Sequence, residues 1–410
     1  MKLNNNIRQT LRVATIELSS MFYSPVAWLV LVIFALLIGY DYANVFDGQL
    51  HGQSLGNGLW NVSSAIYNSW MTGILKPILR NLYLYIPLIT MGLMSREYQS
   101  GSIKLLYSSP IKNSSIIFGK YIAMMCYGAA LMSIIGLNVL FSWLTVENFQ
   151  ISMLLVGMLG IYLLILAYSA IGLFMSTLTG YQVVAAVGTL AVLAVLNFIG
   201  DVGQGIDFVR DITFWLSIYG RSTSFIAGLL PSADVLYFVI VIGLFLALSI
   251  FKLNTEKKIM SSRVKVLKYS LIVVSALLLG YLTSLPQAKL YYDGTYTKSN
   301  TLAPESQEVI KNLKGPLTIT TYVNILAPDY FSGLPFNRNY DLARFERYLR
   351  FKPDIKMKYV YYYHKANNPE LDAQYPDLND KERAKALCKI SSLNFKMFKT
   401  PEEIDEIIHL

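Results

Sequence analysis

The sequence is poor in charged residues, which make up 15% of its 410 residues, whereas 54% are hydrophobic. Soluble proteins usually have about 25% charged and about 45–50% apolar residues. The shortage of charge therefore argues against an ordinary soluble protein and predicts a membrane protein. The arrangement of the apolar residues then decides the architecture.

Residues that bind metals or form disulfides are also scarce. The chain has two cysteines, Cys126 and Cys388, and three histidines, and none falls in a CxxC or Cys/His metal-ligand spacing. We expect no disulfide, because one cysteine lies in an apolar stretch and the other in a polar stretch far along the chain. The pattern predicts no metal site in this chain.

Familiar catalytic and nucleotide-binding motifs are missing. Gly119-Lys120 is followed by Tyr121, without the glycine spacing of a phosphate-binding loop. The sequence also lacks G-x-S-x-G, H-E-x-x-H and D-x-D-x-D-G patterns. It therefore predicts no catalytic residues and no cofactor held by this chain, which argues against an enzyme.

Long apolar runs are what the sequence has in abundance. A membrane-spanning helix needs about 20 mostly apolar residues to cross about 30 Å of hydrocarbon. The candidate spans are residues 25–40, 78–94, 116–144, 151–178, 182–200, 235–251 and 267–285. The first is short and needs tilt or flanking aromatic residues to cross, whereas the fourth contains no Lys, Arg, Asp or Glu.

Basic residues are distributed unevenly between the segments that join these runs. With a cytoplasmic N-terminus, the inner segments hold thirteen basic and three acidic residues, and the outer loops hold four basic and seven acidic residues. The inner basic residues are Lys2, Arg8, Arg12, Arg96, Lys104, Lys112, Lys120, Lys252, Lys257, Lys258, Arg263, Lys265 and Lys268. Because Lys and Arg favour cytoplasmic segments, we predict a cytoplasmic N-terminus and an extracytoplasmic tail. This bias accounts for most of the net charge of +9, so we expect no nucleic-acid partner.

The first 23 residues predict an amphipathic helix on the inner membrane face. Its apolar residues recur at helical spacing, with Arg8, Arg12 and Glu17 between them. These apolar residues are Ile7, Leu11, Ala14, Leu18, Met21 and Phe22. The alternative is an ordinary cytoplasmic extension.

Residues 286–410 are polar and rich in tyrosine, and they alternate between strand and helix patterns. Strands are predicted within 289–297, 316–324 and 353–364, and helices within 302–315, 339–351 and 381–390. This alternation predicts an α/β domain with a mainly parallel sheet. Tyr361, Tyr362 and Tyr363 belong either to the sheet core or to a binding face. Residues 400–410 resemble the start of another α/β unit, so we expect an incomplete domain or one completed by another subunit.

The cores of the third, fourth and fifth spans carry no charged residue. Transporters driven by protons or ions use intramembrane charges despite a cost of about 2.5–3.5 kcal/mol each. A channel or secondary transporter is therefore disfavoured, and energy for transport is expected to come from another subunit.

The segment that joins the second and third spans carries a recognisable pattern. This segment, which we call the connector, is residues 95–120, SREYQSGSIKLLYSSPIKNSSIIFGK. The matching residues are Glu97, Gly101, Leu105, Leu106, Pro110, Gly119 and Lys120. The connector resembles the E-x-x-x-G-(S/T)-hydrophobic-x-x-L-L-x-S-P element, followed later by G-K, of permeases in ABC-type exporters of the second class. Span number and predicted orientation extend the resemblance to about residues 1–251.

The resemblance implies that the connector forms a coupling helix in a groove of a separate ABC ATPase subunit, which would hold the ATP and Mg²⁺. The residues expected to contact the ATPase are Arg96, Glu97, Gly101, Leu105, Leu106, Ser109 and Pro110. Arg96 and Glu97 are expected to pair with charges of the partner, the two leucines to anchor the helix, and Pro110 to end it. The alternative is a basic loop held to anionic lipid.

A second resemblance covers residues 289–324. This stretch is similar to the auxiliary domain of gliding-motility-type (Gld-like) ABC systems, whose pattern is an Asp, an aromatic residue, LSPES/T, a helix and L-x-x-P-x-x-I-x-x-Y. Ala303 replaces the usual serine of that pattern. The resemblance implies a permease part and an auxiliary part in one chain, often with a further span near the C-terminus.

Together these features predict a polytopic α-helical membrane protein of about seven spans, a six-span ABC type-2 permease core plus one, followed by an extracytoplasmic α/β domain. The predicted parts are an interfacial helix (1–23), a six-span permease domain (24–251) containing the connector, a basic linker (252–266), a seventh span (267–285) and the auxiliary domain (286–410). The predicted location is the bacterial cytoplasmic membrane.

The predicted function is that of an ABC permease subunit that works as a homodimer or pseudo-dimer, because two ATPase sites need two membrane halves. An envelope partner for the outer domain is also expected. Small residues of the fourth span, Gly157, Gly160, Ala167 and Ala170, permit close packing either with a second copy or within the chain. The alternative function is a membrane-anchored ligand sensor or envelope scaffold, which needs only one or two spans and no specific connector.

Overall fold

The computed structural model describes residues 2–59, 61–69, 72–204, 206–257, 260–285, 289–391 and 393–408. It forms two compact units, and each is described by itself. The first unit joins residues 1–200 to residues 216–300, and the second joins residues 201–215 to residues 301–410. Lys258, counted above among the inner basic residues, and the predicted boundary at residue 286 lie outside the described residues.

The first half of the chain and the segment before the tail are helical. In chain order the helices are α1 Lys2–Phe22, α2 Pro25–Ser54, α3 Val62–Tyr67, α4 Leu75–Thr90, α5 Gly92–Ser100, α6 Ile103–Ser108, α7 Asn113–Thr145, α8 Ile151–Leu178, α9 Gln182–Phe198, α10 Asp207–Leu216, α11 Ile218–Ile226, α12 Ser232–Lys257, α13 Ser262–Ser284, α14 Pro304–Asn312, α15 Tyr330–Gly333, α16 Arg338–Leu349, α17 Pro369–Gln374, α18 Asp380–Ile390 and α19 Pro401–Ile408. The strands are β1 Leu229–Pro231, β2 Tyr291–Asp293, β3 Thr318–Asn324 and β4 Lys356–Tyr362.

The seven predicted spans are confirmed as helices. Among the described residues, seven helical stretches are long and apolar enough to cross a membrane, and each contains most of one predicted run. The second of them, Leu75–Ser100, combines α4 and α5. The chain is therefore a polytopic helical membrane protein.

The first span is longer than predicted, since α2 continues past residue 40 to Ser54. The predicted apolar run stopped before the charged residues Asp41 and Asp47. These residues end the apolar sequence but not the helix. The buried face continues with Tyr42, whose hydroxyl lies 2.6 Å from the Ser142 hydroxyl of α7. A helix that alternates buried and exposed faces tolerates such charges on its open side.

The fourth span, α8, is the most deeply buried of the seven and contacts α4, α7, α9, α11 and α12. Its small residues serve packing inside the chain. A Cβ added to Gly160 would overlap the Phe225 side chain of α11, and one added to Gly172 would overlap Thr90 of α4. Ala167 and Ala170 are fully buried. Of the two uses predicted for the small residues of this span, the structure supports intrachain packing.

The amphipathic helix predicted over residues 1–23 is present as α1, but its apolar residues are divided between two surroundings. Ala14 and Met21 are buried against the protein, whereas Ile7 and Leu11 are exposed. The helix lies directly on α7 because Gly119 has no side chain: a Cβ there would lie 2.6 Å from Cβ of Val13. The contact of the exposed face with the membrane remains a prediction.

The first strand predicted for the tail domain belongs instead to the first unit. Strand β2 pairs antiparallel with β1, with Leu229 opposite Asp293 and Pro231 opposite Tyr291. The buried carboxylate of Asp293 then fixes the following turn, accepting hydrogen bonds from the Thr295 hydroxyl at 2.7 Å and from the Asn300 backbone N–H at 2.9 Å. Sequence analysis placed this strand with the others because its alternating pattern carries no information about its partner.

The second unit has the α/β character that was predicted, with few strands. Strands β3 and β4 are parallel, in a register that runs from Thr318 opposite Lys356 to Asn324 opposite Tyr362. Helices α14, α16 and α18 coincide with the predicted ones. Tyr361 and Tyr363 are buried in a cluster that also contains Leu387 and Phe398 of this unit, which supports the interpretation of these tyrosines as sheet core. Cys388 is buried and Cys126 is exposed, and both are free thiols.

Candidate functional site at the connector

The connector folds as a helical hairpin. Helix α5 ends at Ser100, Gly101 reverses the chain with a φ of +74°, and the short helix α6 follows. A left-handed conformation costs an ordinary residue about 1–2 kcal/mol, which explains the glycine at this point. As predicted, Pro110 follows the end of α6, where Ser109 is already extended. The hairpin then enters α7 at Asn113.

One side of the hairpin base is held by a chain of alternating charges. Nζ of Lys120, on α7, lies 2.6 Å from Oε2 of Glu17 and 3.3 Å from Oε1 of Glu97. Arg96 completes the chain, with Nη2 at 3.0 Å from Oε1 of Glu17. Glu17 and Lys120 are 5% and 2% exposed, so the central pair is shielded from solvent. The charges join α1, α5 and α7 into one assembly.

The structure changes the interpretation of Arg96 and Glu97. They were expected to pair with charges on a partner, but both are engaged within the chain, and Arg96 also donates from Nη1 to the Ser20 hydroxyl at 2.9 Å. Lys120 was counted among the basic residues of the inner segments, and the structure places it buried within α7. Charges that are already paired within the chain are less available to a partner, so these residues support the connector from within.

The other side of the hairpin base is held by a carboxylate at the end of α12. The hydroxyls of Tyr98 on α5 and Tyr107 on α6 donate to Oε2 of Glu256, at 2.7 and 2.6 Å. Lys252 pairs with the second oxygen of Glu256 at 2.9 Å. Burial and the hydrogen bond to Glu256 raise the pKa of Tyr107 to about 12, so the phenol remains a donor at any physiological pH.

We call three exposed residues of the connector, Lys104, Leu105 and Pro110, its tip. Leu105 is 73% exposed, and Lys104 and Pro110 are exposed as well. Leu106 is half-buried and packs against the main hydrophobic core, so of the two predicted anchor leucines one faces outward and one inward. Burial of this exposed leucine in an apolar groove of a protein partner would be favourable, because it removes apolar surface from water.

A groove of about 460 Å³ adjoins the tip. It is lined by residues 109–114 of the connector and by Ile250, Asn254 and Lys257 of α12. Two of the lining residues are joined by a hydrogen bond, which Nδ2 of Asn113 donates to Oδ1 of Asn254 at 2.8 Å. The exposed tip and this groove together form a continuous surface made by the connector and α12.

Sequence reasoning identified the outward residues of the connector but missed Glu17, Tyr98, Tyr107 and Glu256. Glu17 carried a signal in retrospect, since it is the one acidic residue before Asp41 and shares a helix face with Ala14 and Met21. An acidic residue on the apolar face of a helix is buried only when a basic residue pairs with it, so its position there indicates a buried ion pair. The tyrosine contacts carried no such signal.

The comparison with protein families gives a result for the same part of the chain. Residues 11–206 match the family model described as "ABC-2 family transporter protein". Over this region the chain is similar to ABC-2 family transporter proteins. The match begins inside α1 and ends after α9, so it includes the connector and five of the seven candidate spans.

A comparison with curated proteins gave no match. The match to the family model supports a multi-pass membrane component of an ABC transporter. ABC-2 domains imply partnership with an ABC ATPase subunit. The match ends before β1, so the resemblance of residues 289–324 to Gld-like auxiliary domains stays a prediction.

Proposed function

We propose that this chain is the non-catalytic membrane subunit of an ATP-driven export or envelope system, and that a separate ATPase subunit, which holds ATP and Mg²⁺, binds the connector. The observation that carries the proposal is the contrast within the connector. Its base is tied to α1, α7 and α12 by buried ion pairs and short hydrogen bonds, whereas Leu105 at its tip is open.

This contrast suits the transmission of movement. A short helix that is rigidly joined to several spans passes a rigid-body movement of a partner to all of them. Here α5 continues α4, and the connector leads directly into α7, so a displacement of α6 acts on the second and third spans. The ion pairs of Glu17 extend the same movement to α1.

We further propose that the connector faces the cytoplasm of a bacterium and that residues 289–408 lie outside its inner membrane. Basic residues at the connector end support this orientation: Lys104, Lys112, Lys252, Lys257, Arg263 and Lys265 all lie on the connector or at the facing ends of α12 and α13. Two permease halves would assemble with two ATPase sites, and the second unit would contact an envelope partner of the gliding-motility type.

The test of the function is reconstitution of ATP hydrolysis. The tagged full chain is purified from its native host in mild detergent, and co-purifying proteins are separated and assayed for ATPase activity with and without the chain in lipid nanodiscs. We expect one partner that hydrolyses Mg-ATP and is stimulated at least severalfold by the chain. A chain that recovers no ATPase, while the isolated second unit captures an envelope protein, would favour the scaffold function instead.

Orientation is tested by cysteine labelling. In a Cys126→Ala background, Tyr296→Cys is expected to react with a membrane-impermeant maleimide in intact spheroplasts, and Lys257→Cys only after permeabilisation. Tyr296 is 85% exposed and Lys257 is also exposed, so both thiols are accessible on their own side. Cys388 is a suitable silent residue, because burial raises the pKa of its thiol to about 11 and leaves little thiolate. The reverse labelling pattern would overturn the orientation.

A further inference from the structure

A cavity lies at the end of the first unit that is opposite the connector. Its volume is about 560 Å³, within the range of about 300–1,000 Å³ that is common for small-ligand sites. Asp41 and Asn44 of α2, Lys76 and Arg80 of α4, Tyr219 of α11 and Thr72 line it. The cavity lies near the start of α4, some 20 residues before the connector, so it is separate from the surface proposed to bind the ATPase.

The lining favours a negatively charged ligand. Lys76 and Arg80 are one turn apart on α4, and like charges at this spacing repel each other. The N-terminus of α4 adds partial positive charge at the same place. Asp41 is the one acidic residue among the described lining residues, which leaves a net positive charge. A bound anion would relieve this repulsion and would find polar groups on Asn44, Thr72 and Tyr219.

An apolar stripe continues from the cavity along α4. Arg80, Leu84 and Leu88 follow one another at one-turn spacing on the same face, and the two leucines are 45% and 44% exposed. Helix α2 packs beside this face, with Phe34 and Tyr85 in an edge-to-face contact at 5.9 Å. Near the connector end, Leu88 and Ala27 line a smaller cavity of about 110 Å³ together with residues of α1 and α5. The α2–α4 seam thus has a cationic end and an apolar length.

We propose that this seam binds an amphiphile whose phosphate headgroup is net anionic, with the phosphate in the cavity between Lys76 and Arg80 and the acyl chain along Leu84 and Leu88. The order of the lining along the seam matches such a molecule, since the cationic cavity suits the headgroup and the apolar stripe suits the acyl chain. The proposal concerns a binding site that the chain forms by itself, so it does not depend on the ATPase partner.

The experiment measures lipid binding to the delipidated full chain in detergent by native mass spectrometry, with no ATPase present. Phosphatidylglycerol, phosphatidylcholine and inorganic phosphate are the probes. We expect phosphatidylglycerol to bind at least tenfold more tightly than phosphatidylcholine. The double variant Lys76→Gln with Arg80→Gln should weaken the affinity for phosphatidylglycerol by about tenfold or more, because charge-assisted hydrogen bonds are lost. The control pair Arg263→Gln with Lys265→Gln, at the connector end, should stay within twofold of the unmodified chain.

Two further variants keep the result independent of misfolding. Asp41→Asn removes the opposing charge and should tighten phosphatidylglycerol binding, a gain that a damaged protein would not show. Leu84→Ser should weaken phosphatidylglycerol binding but leave the direct binding of inorganic phosphate at millimolar concentration unchanged. Equal loss in the control pair, equal binding of the two lipids, or inorganic phosphate binding as tightly as the lipid would each overturn the proposal.

Discussion

Replacing Lys120 with methionine should lower the free energy of unfolding of the first unit by about 3–5 kcal/mol, the usual cost of breaking a buried ion pair by removing one partner. Methionine fills a similar volume, so the loss is electrostatic rather than a cavity effect. Glu17, at 5% exposure, would keep Arg96 as its remaining ion-pair partner, and Glu97 would lose its contact with Lys120 at 3.3 Å. Thermal unfolding of the full chain in detergent, followed by tryptophan fluorescence, measures the change.

The matched control is Lys104→Met, which removes the same charge from an exposed position on α6 and should change the melting temperature little. A second variant separates charge from packing. Adding Glu17→Gln to Lys120→Met removes a buried carboxylate that has lost one of its two cationic partners, and should restore part of the lost stability. Equal melting temperatures for Lys120→Met and Lys104→Met would show that the charge chain does not support the connector.

The spans were predictable from sequence because composition alone decides them. Residues 151–178 contain no charged residue, and a run of that length can satisfy its backbone in hydrocarbon only as a helix. The first span shows the limit of this approach. Hydropathy ended it at residue 40, but α2 continues because Tyr42 is buried against Ser142 while Asp41 lies beside it on another face.

The base of the connector was not predictable because its contacts join residues that are far apart in the chain. Glu17 and Lys120 are separated by 103 positions, and Tyr98 and Glu256 by 158. A charged residue near a span looks the same in sequence whether it is solvated, bound to lipid or buried in a pair. The local sequence does predict the course of the backbone. Gly101 at the reversal and Pro110 after the helix follow from the conformations that these residues favour.

The tail shows the same division between local and non-local information. Strands β3 and β4 and helices α14, α16 and α18 follow from periodicity and from breakers such as Gly315. The assignment of β2 failed because strand pairing is set by neighbours in space. Its partner β1 lies about 60 residues earlier, between α11 and α12, and the Asp293 turn holds the two together.

Replacing Leu105 with aspartate should abolish most of the stimulation of the partner ATPase while leaving the chain folded. The side chain is 73% exposed, so the change removes no core contact. In a complex, full burial of a leucine is worth about 1.5–3 kcal/mol, and an aspartate there adds a desolvation cost, so affinity should fall at least about tenfold. Stimulated ATP hydrolysis at fixed ATPase concentration and co-purification yield are the measurements, with Val309→Asp, an exposed change in the second unit, as control.

Comparison of Leu105→Asp with Lys120→Met then separates contact from transmission. The first should lose binding of the ATPase at an unchanged melting temperature, because the tip is altered and the base is intact. The second should lower the melting temperature and reduce stimulation even when ATPase concentration is raised to saturate binding, because a loosened base moves without displacing α4 and α7. Stimulation that survives in Leu105→Asp at limiting ATPase concentration would contradict the assignment of the connector tip as the ATPase contact. Loss of stimulation in Lys120→Met that excess ATPase reverses would instead place the charge chain in binding rather than in transmission.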